Sequence, residues 1–228
     1  MDDDLPLRLE AKRELRKRLR SVRGSLPASA VAQRSEEIRR RIASSPLYRD
    51  ARTLALFWPI EGRNEVDLRP LLDLARSDGK RVAFPATAEE GAEIVLRFLD
   101  EGASLDLGPL GFEEPPESAP LAPHVDLIVV PALAIDASGH RIGYGRGYYD
   151  RLLARGELPH ETLAVAFDFQ MLAEVPTTPG DVPVRWIATD RRFFRAGTDP
   201  GSRYEAPEPL PAVSEPPAGV RVIPRPRR

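Results

Sequence analysis

Apolar residues recur at helical spacing near the start of the chain. Leu15, Leu19 and Val22 share one stripe of residues 7–23, which predicts an amphipathic helix. Val31, Ile38 and Ile42 predict a second helix over residues 29–43, with Ser29 as N-cap and Pro46 beyond its end. Residues 52–58 form a short run of large apolar side chains, the mark of a buried strand. Residues 66–75 again read as helical and stop near Asp78 and Gly79. Further strands are predicted at 81–84, 94–99, 127–130, 162–167 and 184–188, several of them separated by helical segments. This alternation predicts an α/β protein, a three-layer α/β/α sandwich around a mostly parallel, Rossmann-like sheet. Ligands in such sheets sit beyond the carboxyl ends of strands. The loop after the 127–130 strand is therefore the first place to look for chemistry.

The periodic pattern stops at residue 196. The last 33 residues hold eight prolines and no apolar spacing, so they read as a disordered tail, 196–228, on a folded domain, 1–195. A chain of 228 residues suits one domain, and 42% hydrophobic with 30% charged residues excludes wholesale disorder. The net charge of −2 gives no whole-chain attraction to nucleic acid or an anionic membrane. Lys and Arg nevertheless outnumber Glu twelve to four between residues 8 and 41. Cysteine is absent, which excludes disulfides, thiolate nucleophiles and Cys-based metal sites. The start, Met1-Asp2-Asp3-Asp4, carries no basic leader ahead of an apolar core. The longest apolar run, 127–135, contains Pro131 and is too short to span a bilayer. A cytoplasmic protein acting as a monomer is the expectation.

The most informative stretch is Gly139-His140-Arg141-Ile142-Gly143-Tyr144-Gly145-Arg146-Gly147-Tyr148-Tyr149-Asp150-Arg151. It follows a predicted buried strand and leads into a predicted helix at 148–154. Glycines at 143, 145 and 147 let backbone approach an anion, and successive amides with the helix start supply partial positive charge. Arg141 and Arg146 can add forked hydrogen bonds to phosphate, and Asp150 can hold a magnesium ion bridging phosphate oxygens. The spacing is neither the dinucleotide fingerprint nor a Walker loop. On spacing alone, a phosphate cradle and an ordinary turn with packed tyrosines stand equally open. Lys12 and Arg16 lie four apart on one helix face, which by itself also describes a solvated basic face. His124, His140 and His160 have no metal-ligand spacing.

Together with Pro131-Ala132-Leu133-Ala134-Ile135-Asp136 ahead of it, this stretch resembles the signature of the 5-formyltetrahydrofolate cyclo-ligase family, also called methenyltetrahydrofolate synthetases. The similarity runs from about Lys12 to Asp190. The resemblance implies conversion of 5-formyltetrahydrofolate to 5,10-methenyltetrahydrofolate, with ATP going to ADP and phosphate. It implies that Lys12, Arg13, Arg16 and the loop residues Arg141, Ile142, Gly143, Tyr144, Gly145, Arg146, Gly147, Tyr148 and Tyr149 bind ATP. Lys12 and Arg146 are then the catalytic cations, and Asp150 and Asp181 the Mg2+ ligands. Glu65, with Tyr144, Gly145, Arg146, Gly147 and Tyr148, faces the folate. The segment from Phe57 to Glu65 is longer than the family form, which leaves Glu61 as the competing carboxylate. Gly111 to Pro115 resembles a family segment beside the folate pocket. Two other readings are an RNA-binding module built on the basic N-terminal helices, and a sugar-phosphate isomerase or CoA-transferase-like enzyme. The first lacks a recognisable nucleic-acid motif. The second does not require Lys12, Arg16, Asp150 and Asp181 together. The expected partners are 5-formyltetrahydrofolate and ATP, with no nucleic acid and no membrane.

Overall fold

The structure is a computed structural model and describes residues 4–88, 93–155 and 161–198. The expected tail beyond Thr198 lies outside these residues, as does His160. Two helices lead, α1 (Leu5–Gly24) and α2 (Ala28–Ser44), followed by the short α3 (Pro46–Asp50). Then come β1 (Thr53–Ala55), α4 (Arg69–Ser77), β2 (Arg81–Thr87) and β3 (Ile94–Phe98). A hairpin of β4 (Asp106–Leu107) and β5 (Glu113–Glu114) precedes β6 (Leu127–Pro131). A second hairpin, β7 (Ala134–Ile135) with β8 (Arg141–Ile142), leads to α5 (Tyr148–Ala154). The chain closes on β9 (Glu161–Val165), β10 (Trp186–Ala188) and β11 (Phe193–Arg195).

Seven strands form one sheet in the order β11-β10-β9-β6-β1-β2-β3. The inner five are parallel, and both edges, β11 and β3, run antiparallel to their neighbours. After β1 the chain steps one way to β2, then returns to place β6, β9 and β10 on the other side. The direction of winding therefore reverses between β1 and β6, and a crevice opens there.

Both faces of the sheet are apolar because alternate residues point to opposite sides. Leu54, Val82, Phe84, Leu127 and Val129 pack with Ile38 and Ile42 of α2 and with Leu71 and Leu72 of α4. Ala55, Ala83, Ile128, Val130 and Ala164 pack on the other side with Leu152 of α5. This is a three-layer α/β/α sandwich. Ile38 is fully buried, so its truncation to Ala would cost ~2–5 kcal/mol. No helix among the described residues is long and apolar enough to cross a membrane.

Several elements differ from the sequence expectation for physical reasons. α2 begins at Ala28 with Pro27 at the cap, so Ser29 sits inside the first turn and caps nothing. α4 begins at Arg69 rather than residue 66, because Pro70 lacks an amide hydrogen and fits only a first turn. The apolar run 52–58 leaves the sheet after Ala55, and Phe57 and Trp58 go on to line the crevice. β11 falls in a stretch whose apolar residues, Phe193 and Phe194, are too few to show alternation.

Candidate active site

The crevice between β1 and β6 widens into a cavity of about 690 Å³. One side is apolar: Phe57, Trp58 and Ile60 extend β1, Pro85 comes from β2, and Leu110 and Phe112 come from the β4–β5 hairpin. Trp58 packs edge-on against Phe84, with ring centroids 6.0 Å apart. The other side is charged, and α1 builds much of it. Leu9, Lys12, Arg16 and Arg20 recur at three- and four-residue steps, so one stripe of the helix faces the cavity.

That stripe is bound to the glycine-rich turn through backbone carbonyls. Arg16 Nε donates to Gly143 O at 3.1 Å, and Arg20 donates to Tyr144 O at 3.1 Å. Gly145 has φ 98°, which strains any other residue, and a Cβ there would lie 3.3 Å from the Arg16 guanidinium, which would have to give slightly. The turn itself hangs from the β7–β8 hairpin. Asp136 secures the hairpin by accepting from the Ser138 and His140 amides and, across the fold, from Val175. Arg146 is exposed at the cavity and makes no hydrogen bond or ion pair with the described residues.

Lys12 is 3% exposed; its Nζ donates to Thr178 Oγ1 at 2.9 Å and to Asp181 Oδ2. Asp181 is held by a turn from Thr178, with Pro179 second, Gly180 at φ 91° third, and Asp181 N donating to Thr178 O at 3.1 Å. Pro followed by a positive-φ glycine is the composition of a type II turn. Buried Arg141 donates to Val182 O and, at 3.0 Å, to Asp150 Oδ1, which also accepts from Val182 N at 3.2 Å. Burial, then repulsion from Arg20, pulls the Arg16 guanidinium below its ordinary pKa, while Asp181 and Asp150 pull it back. Burial lowers Arg141 likewise, against the attraction of Asp150. Cations crowded in this way gain from an anionic ligand that relieves their repulsion.

Asp150 and Asp181 line the same cavity, and their hydrogen bonds fall on one oxygen each, Oδ1 and Oδ2 respectively. The described residues hold no cluster of three or more His, Cys, Asp or Glu that could form a closed metal cage. Mg2+ is commonly bound by one or two carboxylates completed by substrate phosphates and water. The donor set fits that habit.

At the other end lies Glu65, 5% exposed. Its Oε1 accepts from the Tyr144 hydroxyl, which in turn accepts from buried Arg23, and Arg23 lies 3.7 Å from the same oxygen. Its Oε2 accepts from Ile60 N at 2.7 Å. Asn64 has φ 49°, a conformation asparagine tolerates, and its amide donates to the Arg23 and Leu26 carbonyls at 3.1 Å each. The long loop is thereby clamped to the end of α1, with Glu65 in the cavity wall and Glu61 exposed outside it. Burial, then the Glu65 charge, raises the Tyr144 pKa, and burial raises that of Tyr149, so both remain phenols at neutral pH.

The structure gathers Lys12, Arg16, Glu65, Arg141, Asp150, Asp181 and residues 143–149 around one cavity. It does not bring in two residues assigned to ATP. Arg13 lies about 100° around the helix from Lys12, is exposed, and pairs with Glu10. The Ile142 side chain packs with Leu19, Leu133 and Val175 beneath the turn. The Tyr144 hydroxyl is engaged by Glu65 and Arg23, whereas Lys12 pairs with Asp181. His124 is exposed, and His140 stands 3.5 Å from Asp136. Sequence reasoning missed Arg20, Arg23, Arg63 and Thr178. The signal for Arg20 and Arg23 was present, since they follow Arg16 by four and seven residues on the same helix.

Residues 8–190 match the 5-formyltetrahydrofolate cyclo-ligase family. The 5-formyltetrahydrofolate cyclo-ligase of Mycolicibacterium smegmatis is 33% identical over 189 residues, covering 80% of this chain and 95% of the relative. The protein of the same name from Escherichia coli K12 is 28% identical over 183 residues, covering 77% and 98%. The NMR structure of Aquifex aeolicus 5,10-methenyltetrahydrofolate synthetase is similar at TM-score 0.72 and 32% identity, covering 85% of this chain and 96% of that one. A 5,10-methenyltetrahydrofolate synthetase from Mycoplasma pneumoniae, 23% identical over 78% of this chain and 98% of its own, shares the fold at TM-score 0.59. The glycine-rich turn, its arginine stripe and these relatives converge: the chain belongs to the 5-formyltetrahydrofolate cyclo-ligase family of ligases.

Proposed function

We propose that the protein converts 5-formyltetrahydrofolate to 5,10-methenyltetrahydrofolate, with ATP as phosphoryl donor and Mg2+ as the accompanying ion. The observation that carries this reading is one cavity with two unlike ends. Lys12, Arg16 and the glycine-rich turn build one end, and an apolar wall of Phe57, Trp58 and Phe112 leads to Glu65, where arginines flank Tyr144.

The formyl oxygen on N5 is a poor leaving group. Its attack on the γ-phosphorus forms a P–O bond, and the β–γ bridging bond breaks to release ADP. N10 then adds to the activated formyl carbon, the phosphorylated oxygen leaves as phosphate, and the N10 proton passes to solvent. No side-chain nucleophile takes part, so the chain's work is alignment and charge neutralisation. Lys12 and Arg16 hold the phosphates, and Arg146 follows the transferring group from the turn. Asp150 Oδ2 and Asp181 Oδ1 would hold Mg2+, which supplies charge neutralisation at the phosphates when bound. Phe57, Trp58 and Phe112 exclude water from the ring system, and Glu65 accepts hydrogen bonds from its N–H donors. Residues 1–195 form the catalytic domain in this reading, and 196–228 an appendage to it.

The test is direct. Purified protein with ATP, Mg2+ and 5-formyltetrahydrofolate should build up methenyl-folate absorbance with one ADP per product. ATP left unconsumed and no absorbance change across several buffers would overturn the reading.

A further inference from the structure

We propose that Arg23 is a positioning residue for the folate: a buried guanidinium that fixes the Glu65 carboxylate and Tyr144 phenol in one arrangement. The inference rests on the folate-facing role of Glu65. Arg23 does not line the cavity, so it acts through the two groups that do.

Arg20, one turn earlier on α1, is exposed and bonds a backbone carbonyl, whereas Arg23 is 3% exposed. A buried cation is costly unless paired, and Arg23 is paired with the Tyr144–Glu65 couple alone among described side chains. Its Nε is buried without a hydrogen-bond partner, a further cost that a methionine there would avoid. Packing therefore does not account for an arginine here, and its effect must lie in what it orders. The backbone agrees with the side chain. Asn64, in the left-handed conformation immediately before Glu65, donates to the Arg23 carbonyl. Both halves of Arg23 thus grip the Asn64-Glu65 pair, and three guanidiniums, Arg20, Arg23 and Arg63, surround the Tyr144 ring at 5.1, 5.7 and 4.9 Å. Without the buried charge, Glu65 would keep only neutral donors and turn away from the ligand.

The experiment is a kinetic cycle on the full chain with Arg23→Met, Arg23→Lys, Glu65→Gln and the corresponding double variants, each with a melting curve. Arg23→Met should raise KM for 5-formyltetrahydrofolate about 30-fold, with KM for ATP and kcat within about threefold. Arg23→Lys should restore most of that loss. In the Glu65→Gln background, Arg23→Met should add less than about threefold, because no charge remains to order. An equal rise in both KM values, or losses that multiply in the double variant, would show a merely structural role and overturn the proposal. A damaging Glu65→Gln with a silent Arg23→Met would remove Arg23 alone. A silent Glu65→Gln would remove the folate-facing assignment, and the proposal with it. Should Arg23→Met fail to fold, Arg23→Gln, which also removes the charge, takes its place in the same cycle, and full additivity with Glu65→Gln there overturns the proposal.

Discussion

Asp150 and Asp181, at the turn end of the cavity, each give one oxygen to the protein, whereas Glu65 at the far end gives both. A carboxylate has about four lone-pair sites, so the difference decides what each can still do. The two aspartates are anchored by Arg141 and Lys12 through one oxygen each, and the other oxygen takes no hydrogen bond from the described residues. They suit a ligand that arrives with its own charge. Glu65 is fixed from Tyr144, Arg23 and the Ile60 amide, and it suits a ligand recognised by shape and hydrogen-bond direction. One end trades in charge, the other in geometry.

The contrast can be broken most sharply at Asp150. Asp150→Asn should lower kcat by about 100-fold, some ~3 kcal/mol, and raise the Mg2+ concentration needed for half-maximal rate. Asp181→Asn should act in the same direction. Unchanged Mg2+ dependence in both variants, with normal melting, would remove the aspartates from the metal. At the other end, Glu65→Gln should lower kcat/KM for the folate by roughly 10- to 100-fold and leave KM for ATP unchanged. Glu61→Gln should change it by less than about threefold, as exposed substitutions usually do. The reverse pattern would mean the clamped loop presents the wrong carboxylate. Gly145→Ala tests whether the turn needs its backbone approach. Strain at positive φ and contact with Arg16 should cost ~1–2 kcal/mol and raise KM for ATP about tenfold, sparing the folate KM. An equal effect on both substrates would erase the distinction between the ends. The smallest effect should come from outside both. A chain ending at Thr198 should keep its rate within about twofold, because the family match ends at residue 190. A large loss of rate would give the appendage a part in the site.

Much of this was legible in the residue pattern, and what was hidden has a physical explanation. The parallel sheet showed because β6 is a continuous apolar run and β2 and β9 each carry one, buried on both faces over residues 82–86 and 163–165. The glycine-rich turn showed through its resemblance to the family signature, since on spacing alone a phosphate cradle and an ordinary turn stand equally open. The β7–β8 hairpin that carries the turn stayed hidden, since two-residue strands have no period to read. Helix spacing from Arg16 pointed to the side of α1 that Arg23 occupies, but its burial stayed hidden, because that depends on Tyr144, 121 residues away in sequence. Arg13, which the family resemblance places with Lys12, stands about 100° from it around the helix and pairs with Glu10.

The inward side of α1 is unusual for a helix on a sandwich. Its buried residues are Lys12, Leu19 and Arg23, against Ser35, Ile38, Ile42 and Ala43 on α2. α2 is held by the hydrophobic core and α1 largely by charges and borrowed carbonyls. Amide hydrogen exchange should therefore find α1 opening locally, at a free energy well below that of the sheet and lower still in high salt. An occupied cavity completes the helix's missing packing. Under the proposed function the nucleotide would act as part of the fold, and protection of α1 would report whether it is bound.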